Sequence, residues 1–137
     1  LRRITLKTGT GGMALGEKLA LFTKVLIAEL EDLEDDIASW GKFLEEKHRS
    51  EKVTEYVFLQ NSALLGQELA GIKKVIEAIA AETPPEELKG CTDVSCIRDY
   101  FTCLVRKESE RCEFQRAIER FAVKKIDKVC EYLREPD

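Results

Sequence analysis

Between residues 15 and 44 the apolar positions are Leu15, Leu19, Phe22, Leu26, Leu30, Leu33, Ile37, Trp40 and Leu44, in steps of four and three. Residues so spaced share one face of a helix, so the pattern predicts one long amphipathic helix, about 45 Å at 1.5 Å per residue. Leu19, Leu26, Leu33 and Trp40 are seven apart, and Leu30, Ile37 and Leu44 form a second heptad row. Such rows are the seam of a coiled coil or a bundle.

The polar run 45–52 holds no apolar residue and offers Ser50 as a helix cap, which places a turn there. A second helix is predicted to about residue 81, with the heptad row Phe58, Leu65, Ile72 and Ile79 flanked by Leu69 and Ile76. A short turn between two such seams implies antiparallel neighbours. Thr83, Pro84 and Glu86 form a capping box that starts a short helix ending at Gly90. Beyond it Thr92 or Ser95 caps a third long segment carrying Ile97, Phe101, Leu104 and Val105, and Phe114, Ile118, Phe121, Val129 and Leu133 continue helical spacing. The polar stretch 106–111 has neither Gly nor Pro and reads equally as a turn or as the exposed middle of one helix. A turn gives four main helices; its absence gives three.

The whole predicts an all-α fold, an up-down bundle of three to four long helices plus one short helix, in a single domain over residues 13–137. The sole methionine, Met13, follows Gly9, Gly11 and Gly12. Residues 1–12 are therefore expected to be upstream or added sequence, although Arg2, Ile4 and Leu6 also suit a short strand or arm.

Apolar residues make up 44% of the chain and charged ones 35%, and no stretch approaches the run of about 18 apolar residues that a membrane span needs. Residues 13–90 carry 9 basic and 16 acidic side chains, whereas residues 91–137 carry 10 of each. The acidic half argues against nucleic acid as a partner, because phosphate binding needs clustered Lys and Arg. Five cysteines without a secretory signal, beside one Asn and one His, resemble the composition of hyperthermophile proteins and suggest a cytoplasmic location.

The acidic run Glu29, Glu31, Asp32, Glu34, Asp35 and Asp36 is the sharpest local feature. On a helix Glu29, Asp32 and Asp36 share a face, where three carboxylates suit Mg2+ with its oxygen ligands. The alternative is a solvated face pairing with basic residues elsewhere. The segment Glu31 to Asp35, with Glu29 to Asp32 as another placement, resembles the E-x-x-E motif of the all-α, MazG-like nucleoside triphosphate pyrophosphatases. That resemblance implies a Mg-dependent enzyme acting on nucleotide phosphates. The family's second motif, E-x-x-D, has its best counterpart at Glu68-Leu69-Ala70-Gly71, with glycine in the aspartate position. No catalytic residue is carried over.

Glu45 and His48 form one E-x-x-H, half of the pair that a di-iron bundle uses, and His48 is the only histidine. The cysteines Cys91, Cys96, Cys103, Cys112 and Cys130 match no zinc or iron-sulfur spacing. Cys96 and Cys103, seven apart, suit a buried helical face. A turn at 107–109 would face Cys103 toward Cys112 and make them the candidate disulfide, whereas Cys91, beside Gly90, is the candidate for redox sensing.

Arg116, Arg120, Lys124 and Lys128 make a basic ribbon with Lys125 beside it, and the carboxylates of the first helix are its expected partner. Ser62, Gly66 and Ala70, with Ala63 and Gly71, make a small-residue stripe, and Gln60 and Asn61 a polar layer able to fix register. The leading expectation is a non-enzymatic interaction or assembly module, a homo-oligomer or bound to a protein partner through the heptad rows of its first two helices, without cofactor. The Mg-dependent enzyme and a cysteine-based redox regulator are the alternatives.

Overall fold

The computed structural model describes residues 15–81, 88, 93–114 and 116–134, and these form four long helices with no strand among them. They are α1 (Leu15–Arg49), α2 (Glu55–Ala81), α3 (Val94–Cys112) and α4 (Arg116–Leu133). The all-α expectation holds. Residues 1–12, Cys91 and the short helix at 83–90 apart from the buried Leu88 lie outside the described residues.

The first boundary falls five residues later than the apolar pattern ends. The run 45–49 stays helical, because nothing in it breaks a helix and Lys47, His48 and Arg49 complement the negative end of the dipole. Ser50 closes α1 rather than opening α2: its hydroxyl donates to the Glu46 carbonyl at 2.9 Å, and Glu51 follows with a positive φ of 59°. The cap of α2 is Thr54, whose hydroxyl accepts from the Val57 amide at 3.2 Å. Asp93, between the two expected caps, accepts from the Ser95 amide and starts α3.

Residues 106–111 do not turn. They are helical, held by the Glu108–Arg111 pair one turn apart, and α3 ends only at Glu113, in the left-handed region at φ 52°. The hairpin therefore exists but begins beyond both cysteines meant to face across it. Cys103 and Cys112 sit on one helix, nine residues or about 13 Å apart, too far for a disulfide, and both are free thiols.

The core is shared by all four helices. Phe22 of α1 stacks on Phe101 of α3 at 5.4 Å between ring centres, and Leu26, Leu30, Ile72, Ile97 and Ile126 are fully buried around them. Gly71 of α2 lies directly against α4: a Cβ there would collide with Cδ1 of Ile118 and lie 3.2 Å from its Cγ1. An aspartate at 71, as the pyrophosphatase motif requires, would force the Ile118 side chain to shift.

Candidate functional site

Helix lengths decide which surfaces are covered. α1 has 35 residues and α2 27, about 52 and 40 Å, whereas α3 and α4 have 19 and 18, under 30 Å each. The last buried residue of α1 is Ile37 and the first of α2 is Gly71. The segments between them extend past the α3–α4 turn. There the two long helices still clasp each other, with His48 stacked on Phe58 at 4.0 Å and its Nε2 2.6 Å from Glu55 Oε2.

Two heptad rows show what α3 and α4 leave bare. Glu29, which faces α4, is followed at intervals of seven by Asp36 and Phe43. Gly71, which also faces α4, is preceded at the same interval by Leu64 and Val57. These rows are the bed on which α4 lies, continued beyond its end, and there they are exposed. The exposed large hydrophobic residues among those described are Trp40 (62%), Phe43, Tyr56, Val57, Leu59 and Leu64, all in this extension. Together they leave on the order of 700 Å² open, spread over both helices. Trp40 and Phe43 meet edge to face at 5.7 Å, and Lys47 Nζ lies 5.2 Å from the Phe43 ring centre.

The charge pattern agrees. From Tyr56 to Gln67 no residue is charged, yet nine of these twelve are exposed, in a chain that is 35% charged. A solvated helix face ordinarily carries Lys and Glu, and depletion of charge at an apolar surface is the compositional mark of an interface centre. This uncharged run was visible in the sequence. It is interleaved with the heptad row of Phe58 and Leu65, which are half-buried, while the residues between them are mostly exposed.

The expected sites are distributed differently. Glu29 is 1% exposed, and its Oε1 takes Lys125 Nζ at 3.0 Å and Lys128 Nζ at 3.1 Å. Burial pushes this carboxyl up, but the two lysine hydrogen bonds and charges more than offset that and hold it below its ordinary value. Asp32 and Asp36 are exposed, and no group of three His, Cys, Asp or Glu able to hold a metal occurs among the described residues. The Glu29, Asp32 and Asp36 face is thus split: one carboxylate serves an ion pair in the core and two face solvent. Two of the five basic residues, Lys125 and Lys128, find the helix-one partner expected of the ribbon; Arg116, Arg120 and Lys124 are exposed.

Of the cysteines, Cys103 is exposed and Cys96 half-buried. The cysteine that packs as a core residue is Cys130, whose thiol burial pushes up and away from reactivity. The small-residue stripe also divides, with Gly71 beneath Ile118 and Gly66 open to solvent. Asn61 is exposed and donates to the Val57 carbonyl of its own helix at 2.8 Å, so it makes no register-fixing layer between helices. No helix among the described residues is long and apolar enough to cross a membrane. No protein-family model, no curated protein sequence and no solved structure matches this chain.

Proposed function

We propose that this chain is a helical interaction or assembly module that docks a protein partner, a second copy included, on the uncovered extension of α1 and α2. The observation that carries this reading is the exposed, uncharged run from Tyr56 to Gln67 beside Trp40 and Phe43. The four helices are read as an up-down bundle whose heptad seam continues past α3 and α4. A partner completing it would bury apolar surface in the way α4 does lower down, the main driving force of association.

Photo-crosslinking tests the reading. A benzophenone amino acid in place of Leu64 is expected to give adducts to another chain, in the purified protein or in the cells that make it. The same group in place of the exposed Arg120 is expected to give none. A Leu64 derivative that yields no adduct in either setting contradicts the proposal.

A further inference from the structure

We propose that the partner is a second copy of this chain, bound through a two-fold antiparallel pairing of α1 centred between Trp40 and Phe43. This rests on the reading of the extension as a docking surface and goes further, because the order of residues on the α1 stripe identifies the occupant. Asp36, Trp40, Phe43 and Lys47 lie on one side of the helix at intervals of four, three and four. The spacing is a palindrome about the point midway between Trp40 and Phe43, and the stripe is acidic at one end, aromatic in the middle and basic at the other.

A closed two-fold interface requires that residue i of one copy meet j of the other while j meets i. Antiparallel α1 helices crossing at that midpoint satisfy this twice over. Trp40 of each copy meets Phe43 of its partner, and Asp36 of each meets Lys47 of its partner, with about 16 Å between the charges on one helix. A parallel pairing would instead set Asp36 against Asp36 and Lys47 against Lys47. The remaining carboxylates of 31–36 carry no basic residue among them, and the same antiparallel order brings this run toward the end of the other copy that holds Lys47, Arg49 and Lys52. The aromatic pair is assembled in advance by its edge-to-face contact, and Val57 and Leu64 continue the α2 row that α4 covers at Gly71.

The test is a charge exchange read by sedimentation velocity. Wild type is expected to dimerise reversibly. Asp36→Lys alone and Lys47→Asp alone each set like charges at both contacts, and each is expected to weaken the dimer roughly tenfold or more. Mixed in equal amounts, the two variants present opposite charges at both contacts and are expected to form a heterodimer within about threefold of wild-type affinity. Both positions lie outside the core, so each variant should keep the wild-type helix content. A wild-type chain still monomeric at about 0.5 mM overturns the pairing. So does a dimer indifferent to the single exchanges, or a mixture no tighter than the singles. None of these results touches the docking reading, which the Leu64 crosslink tests separately.

Discussion

Lys125 Nζ lies 3.0 Å from Glu29 Oε1 across the junction of α1 and α4, and Lys128 reaches the same oxygen. The carboxylate is buried, its Oε2 accepts no hydrogen bond from a described residue, and the two ammonium groups reach out toward water. A buried charge is tolerated only while it is paired. Replacing both lysines by Met should therefore destabilise the fold by about 3 kcal/mol in urea unfolding, whereas Glu29→Gln, which lets the lysines relax into solvent, should cost about half as much.

The pair also fixes a pH dependence. Glu29 titrates below its ordinary value in the folded chain, so its contribution is fully present above the unfolded carboxyl value near 4.5 and is lost as the pH falls through the lower folded value. The wild-type unfolding midpoint should fall more steeply with acid than that of Glu29→Gln. Parallel curves for the two proteins would show that the lysines do not hold this carboxyl down.

Gly66 and Gly71 give a matched comparison on one helix. Nothing lies within 4 Å of a Cβ added at Gly66, so Gly66→Ala should stabilise the chain by about 0.5 to 1 kcal/mol through helix propensity alone. At Gly71 the added methyl meets Ile118, and Gly71→Ala should destabilise by about 1 kcal/mol despite the same propensity gain. Combining it with Ile118→Val, which removes the colliding Cδ1, should recover part of that loss. Additive effects in this cycle would mean that the two helices do not approach as closely as described.

Thiol labelling should follow exposure. Cys103 is expected to react first with a small disulfide reagent, and Cys130 only once the chain unfolds. Peptide mapping of unreduced protein should find no link between Cys103 and Cys112, which α3 holds apart.

The helical class was legible in the sequence because periodicity reports that a segment is helical and which face is apolar. What covers that face was not, because coverage depends on where other helices end. Trp40 belongs by pattern with Leu19 and Leu26, yet those two are buried and Trp40 is bare, since α4 begins only at Arg116. The α3–α4 turn also carries no plain sequence signal. It is made by Glu113 in a left-handed conformation, which a non-glycine residue adopts without announcing it, while the conspicuous polar run at 106–111 stays helical. Glu29 looked like its acidic neighbours until α4 brought two lysines to it.

Dimerisation on the uncovered extension buries Trp40, the only tryptophan, which therefore reports on it directly. The decisive measurement is acrylamide quenching of its fluorescence across a dilution series, run beside the sedimentation mass. Strong quenching is expected in the dilute chain, where Trp40 is 62% exposed, and progressive shielding as the mass rises. An assembly that forms with Trp40 as open to acrylamide as in the dilute chain would contradict it.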